Sequence, residues 1–249
     1  MDERTSYQKM LSEFMKWQKS NDKEYVDLWD LINAGKATYE DARRYSKVVA
    51  DKWSQLLTKY FGIGADTSGL SDSDILNDIE SVLKQCYRNT SYYAAKVQEI
   101  INNSININIK PVEGKIDKSR ISNLVDKLKD GKDVAEDLIT EDNSWLIEDG
   151  VVENISMSAV TDTIEENAKL HTDAGLISYI ERKQGRGGCC KWCASVSGRY
   201  VYGEQPSDFF KIHKHCNCSI TYMPSRQRWQ KITYSTDARG NRRKNTKNL

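Results

Sequence analysis

The chain reads as an α+β protein: a mainly helical N-terminal region followed by a small α+β module with a Cys/His metal site. Three observations predict this. Apolar residues recur at helical spacing through roughly the first 140 residues. After about residue 150, short alternating runs and turn glycines take over. Five of the six cysteines and two of the three histidines fall between Cys189 and Cys218. The expected organisation is a helical region over 1–150, the α+β module over 151–224, and a basic tail over 225–249.

The helical elements follow in order. Tyr7, Met10, Leu11, Phe14 and Met15 share one face, and Tyr25, Leu28, Trp29 and Ile32 share another. Asn33-Ala34-Gly35 breaks the pattern. Thr38 is placed as an N-cap, with Glu40 and Asp41 at the positive end of the next helix. Ala42, Tyr45, Val49, Trp53, Leu56 and Tyr60 mark its inner face, and Gly62 and Gly64 end it. Asp72 or Ser73 opens a further helix, with Ile75, Ile79, Val82 and Leu83 inward. Another begins near Ser91 and carries Ala94, Val97 and Ile101. Ile105 to Ile109 alternates strictly, as a short strand or an extended connector would. Lys118 to Lys129 returns to helix, with Gly131 as its stop. The aromatic stripes on these helices are predicted to pack as core rather than to stack on bases.

The module is predicted from a different rhythm. A helix over Ser158 to Asp173 ends at Gly175, where a C-terminal cap belongs. Leu176 to Arg182, Arg199 to Tyr202 and Ser219 to Tyr222 read as strands. Pro206 to Phe210 reads as a short helix, with proline in its first turn.

The cysteines and histidines follow metal-ligand spacing. Cys190-x-x-Cys193 has the two-residue gap of a zinc knuckle, and His213-x-x-Cys216 has the same gap about twenty residues on. Thiolate and imidazole are the ligands zinc prefers, usually four in a tetrahedron. The candidate ligands are Cys190, Cys193, His213, Cys216 and Cys218, with His213 and Cys218 competing for the fourth position. Cys189 points away from its neighbour Cys190 in an extended segment and is set aside. Cys86 lies in a helical stretch and reads as a small buried hydrophobe. The charged start Met1-Asp2-Glu3-Arg4 is not followed by an apolar run, so no signal peptide is expected, which favours metal ligands over disulfides. The bound ion is expected to be a structural Zn2+, clipping a small core together.

Composition suits a polar protein: of 249 residues, 38% are hydrophobic and 29% charged, and only three are proline. No run approaches the roughly 18 apolar residues of a membrane span. Net charge is +1, but residues 226–249 hold eight Lys/Arg against one acid, Asp237. That segment therefore carries +7 and the rest −6. Such a tail is expected to be disordered and suited to non-specific contact with DNA.

The run Cys189-Cys190-Lys191-Trp192-Cys193, the strand Gly198 to Gly203, Pro206-Ser207-Asp208 and His213-x-x-Cys216-x-Cys218-Ser219-Ile220-Thr221-Tyr222 resemble the phage head morphogenesis family. These are minor head (minor capsid) proteins of the Mu F-protein type, in the version found in phages of Gram-positive bacteria. Gly35 to Leu57 and Trp145 to Gly175 resemble that version as well. Asn217 departs from the basic residue common there, and Val196-Ser197 from a Leu-Ala pair; neither removes a candidate ligand. The resemblance implies a non-enzymatic virion component, few in copies, inside the head near the portal. It would assist head assembly or DNA delivery, with portal or capsid proteins as partners and the host cytoplasm as its location during assembly.

Two other readings fit parts of the pattern. A zinc-ribbon nucleic-acid-binding regulatory protein would share the knuckles and the basic tail. A metalloenzyme is disfavoured because His-Glu-x-x-His is absent and no His-x-Glu precedes a Pro-Cys-x-x-Cys. A cysteine nucleophile with His171, His213 or His215 as base fits poorly with cysteines crowded in a metal-like pattern.

Overall fold

A computed structural model describes residues 5–62, 64–129, 150–185, 190–213, 218–225, 230–236 and 242–248. Its helices are α1 (Ser6–Gln18), α2 (Lys23–Asn33), α3 (Tyr39–Phe61), α4 (Asp72–Ser104), α5 (Lys118–Lys129), α6 (Val151–Asp173) and α7 (Lys191–Val196). Its strands are β1 (Ile177–Lys183), β2 (Gly198–Val201), β3 (Ser219–Ser225), β4 (Gln230–Thr236) and β5 (Arg242–Asn248). The predicted α+β class, mostly helical with a small antiparallel sheet near the C-terminus, is what the structure has.

Local chemistry sets the helix ends. Thr38 caps α3 and Ser71 caps α4. Each forms a reciprocal box, in which the hydroxyl accepts from the N3 backbone and the N3 carboxylate, Asp41 or Asp74, accepts from the cap N–H. At the other end, α2, α4 and α6 stop in the same way. A residue with positive φ follows the cap (Gly35, Asn106 or Gly175), and the next N–H reaches back to a carbonyl one turn earlier, as Leu176 does to His171 at 2.9 Å.

Two helices are longer than the sequence pattern suggests. α4 runs unbroken for 33 residues, about 50 Å at 1.5 Å per residue, through the Asn89-Thr90-Ser91 stretch that looks like a new N-cap. The hydroxyls there do not cap anything. Thr90 bonds Ser156 at 2.7 Å, and Ser91 bonds Thr163 at 3.0 Å and accepts from the Gly114 N–H at 2.7 Å. α6 begins at Val151, seven residues before the predicted start. It is buried on nearly every side, including Val152, Ser156, Ala159, Thr163 and Asn167, so it lacks the polar face that marks an amphipathic helix.

α6 is the central element. It packs against α3 and α4 on one side and against β1 and β3 on the other. One continuous core joins Trp53, Tyr45, Tyr93 and Ile164 to Ile180, Phe209, Ile220 and Tyr222, so packing is unbroken across the 150/151 division. The aromatic stripes form that core: Tyr45 stacks on Tyr93 at 4.1 Å and Phe14 on Trp53 at 4.3 Å between centroids.

The sheet has the order β2-β1-β3, antiparallel throughout, with Ile180 opposite Tyr200 on one side and Tyr222 on the other. Ile105 to Ile109 is a connector rather than a strand, and its continuation lies across α4 and α6. There Asn167 imitates a strand partner, accepting from the Val112 N–H at 3.0 Å and donating to its carbonyl at 2.7 Å. Pro206 to Phe210 makes a hydrogen-bonded turn in place of the expected helix. β4 and β5 pair as a two-stranded ribbon where composition alone suggests disorder. Ile232, Thr233, Tyr234 and Thr236 are residue types that favour extended backbone. Gly131 lies outside the described residues.

Candidate metal centre

α7 supplies half of the site. Cys190 is its N-cap, with extended backbone, and its sulfur accepts from the Cys193 N–H at 3.3 Å. The two-residue gap therefore turns both thiols inward within one helical turn. His213 arrives from the segment after the Pro206–Phe210 turn. Its Nε2 lies 2.8 Å from the Cys193 sulfur and 3.4 Å from that of Cys190. Its ring is packed edge-on to Trp192, with 5.4 Å between centroids.

The ligand atoms of Cys190, Cys193 and His213 all lie within 4.8 Å of one another, so this group can hold a metal ion. In a zinc tetrahedron with bonds near 2.3 Å to sulfur and 2.0–2.1 Å to nitrogen, sulfur and nitrogen sit about 3.6 Å apart. The Cys190–His213 separation meets that. The Cys193–His213 pair, now at hydrogen-bond distance, must open by less than about 1 Å. Two thiols and an imidazole suit zinc-like ions and not calcium or magnesium.

Of the two contenders for the fourth position, His213 converges with Cys190 and Cys193, and Cys218 reaches the same cluster through its hydrogen bond with Cys193. Cys218 is buried beside Cys193, with Trp192 and Ile212 packed around the pair. Cys216 lies outside the described residues, as do Cys189 and His215. His171 is far from this role. It is buried among Asn102 and Tyr222 and touches no thiol through its hydrogen bonds.

Electrostatics favour ionised sulfur. The Cys193 backbone N–H lowers the pKa of the exposed Cys190. At Cys218 burial opposes ionisation, but hydrogen bonds with Cys193 and Arg182 outweigh it and lower the pKa. Cys86 is the contrast: burial pushes its thiol up to about 12, as expected of an inert core cysteine.

Sequence reasoning treats Arg182 only as a strand residue. It is 2% exposed and its Nη2 points at the Cys193 sulfur from 3.7 Å. Its Nη1 donates to the carbonyls of Phe209 and, at 2.8 Å, Lys211. Strand period 2 carries the signal for this, since Ser178, Ile180 and Arg182 alternate on the buried face of β1.

Fold and site together define a helix-rich α+β protein with a Cys/His cluster able to hold a metal ion beside a small sheet. Residues 125–242 match the family model described as VG15 protein, a phage-related viral family. The match begins inside α5 and takes in α6, the three-stranded sheet and the whole Cys/His cluster; α1 to α4 lie before it. No curated protein and no solved structure matches the chain. Among the described residues no helix is long and apolar enough to cross a membrane.

Proposed function

We propose that this protein is a phage minor head protein, a non-enzymatic virion component that assists head assembly or DNA delivery near the portal. A structural Zn2+ is held by Cys190, Cys193 and His213, with Cys216 as the fourth ligand. The observation that carries the reading is that the match to a phage-related viral family covers the segment where the thiols and imidazole converge. With Cys216 completing the set, the ion would have no open position for a catalytic water, in keeping with a structural role. The partners proposed are portal or capsid proteins, with non-specific DNA contact through the basic C-terminal residues. The location proposed is the interior of the head, reached from the host cytoplasm during assembly.

The test is mass spectrometry of purified virions and assembly intermediates, together with elemental analysis of the isolated protein. The expected result is the chain present at low copy in heads and one zinc per chain. Absence from both virions and intermediates would refute the head assignment. A zinc-to-protein ratio near zero after purification without chelator would refute the metal assignment. The regulatory zinc-ribbon alternative predicts a preferred DNA sequence, whereas the head reading predicts weak, steeply salt-dependent binding with no preferred site.

A further inference from the structure

We propose that Arg182 is a positioning residue of the metal centre: its guanidinium fixes the Cys193 sulfur in place for a metal ion and slows release of the ion. This rests on the metal reading of the Cys190–Cys193–His213 group, and it concerns a residue outside the ligand set.

The geometry is specific. Arg182 stands at the end of β1 with its side chain buried at 2% exposure. A guanidinium remains charged in any protein environment, and a buried charge is costly unless its surroundings answer it. One arm of the fork is committed, with Nη1 donating to the carbonyls of Phe209 and Lys211 in the turn that leads to His213. With that arm fixed, the planar fork aims Nη2 at the Cys193 sulfur, 3.7 Å away. The guanidinium also lies over the Trp192 ring, 5.2 Å from its centroid. Cys218, buried beside Cys193, also hydrogen-bonds the guanidinium, so the fork ties two sulfurs to two carbonyls.

An N–H···S bond to a ligating sulfur has two effects. It withdraws electron density from the sulfur, and it fixes the direction in which the sulfur points, so the ligand stays on its ion. The same side chain links the Cys190–Cys193 half of the site to the segment bearing His213, so it also keeps the two halves in register. Outer partners of metal ligands are commonly worth 10–100-fold in metal affinity.

The experiment uses the full chain loaded with Zn2+ or Co2+, in wild type, Arg182→Met and Arg182→Lys. Release is followed by transfer to a coloured chelator, and the cobalt form is read by its sulfur-to-metal charge-transfer band. Arg182→Met is expected to release the ion at least tenfold faster. It should also move the band to longer wavelength, because sulfur regains electron density. Arg182→Lys, which keeps the charge and loses the fork, should fall between. A band and release rate within twofold of wild type in Arg182→Met would overturn the proposal. Should that variant lack the wild-type far-UV circular dichroism, Arg182→Lys decides, and wild-type behaviour in it overturns the proposal. A wild-type chain that binds neither ion stoichiometrically would overturn the metal reading and this inference together; a wild type that binds while the variants match it overturns this inference alone.

Discussion

His171 on α6 and Tyr222 on β3 are hydrogen-bonded through Nδ1 and the phenol oxygen in the interior of the protein, with their rings 5.7 Å apart and nearly parallel. The pair closes a polar chain through the core. Tyr39 donates to Gln98, Gln98 donates to Asn102 at 2.7 Å, and Asn102 lies 3.3 Å from His171 Nε2. Because the Asn102 amide nitrogen can only donate, Nε2 must accept, and the imidazole proton sits on Nδ1. On the far side, Ser178 meets the Tyr222 hydroxyl at 3.2 Å and donates to the Ala168 carbonyl. Every link runs one way, so the chain has a place for neutral histidine and none for imidazolium.

That polarity predicts the pH dependence of stability. Burial lowers the His171 pKa to about 4, against an ordinary value near 6.5. The unfolded chain therefore binds a proton that the folded chain refuses between those values. The contribution is complete above about pH 6.5 and is lost as pH falls towards 4, amounting to about 2–3 kcal/mol over that window. Chemical denaturation of wild type and His171→Gln at pH 4.5 and 7 should show a steeper loss in wild type. Identical slopes would remove His171 from the account.

Gly114 predicts a packing limit. A Cβ there would lie 2.8 Å from the Thr163 backbone nitrogen and 2.9 Å from the Tyr87 hydroxyl. The backbone atom cannot swing away, so Gly114→Ala should lower stability by about 1–3 kcal/mol. A urea midpoint equal to wild type would mean the 110–117 segment shifts freely.

Asn167 predicts how that segment is held. Its amide makes both bonds to Val112, and removing it leaves a part-buried N–H and carbonyl without those bonds. Asn167→Ala should cost about 1–2 kcal/mol and speed tryptic cleavage after Lys115 under native conditions. Unchanged cleavage kinetics would show that the segment is anchored elsewhere.

The cysteines predict an order of modification. In metal-free folded protein at neutral pH, iodoacetamide should label Cys190 well before Cys86, because one thiol is exposed with a lowered pKa and the other is buried with a raised one. Peptide mapping after timed quenching reads the order. Early labelling of Cys86 would indicate that the α4 region opens readily.

Much of this arrangement is legible in the chain itself. Thr38 and its Asp41, the stop at Gly35, the span Lys118–Lys129 and the Gly175 cap depend on neighbours a few residues away, and local spacing reveals them. The two-residue gap between Cys190 and Cys193 likewise sets a helical turn that presents both sulfurs together.

The α+β class, the alternation of elements and the thiol-imidazole chemistry of the cluster can be read from the chain, since each follows from short-range periodicity and residue type. Packing across the chain is what carries α4 unbroken through Thr90 and Ser91, starts α6 at Val151, brings His213 to the thiols of Cys190 and Cys193, and turns Arg182 towards Cys193. The physical reason is common to all four. A hydroxyl, a buried helix face, a thiol and a guanidinium each take their role from a partner distant in the chain, and that partner is supplied only by packing.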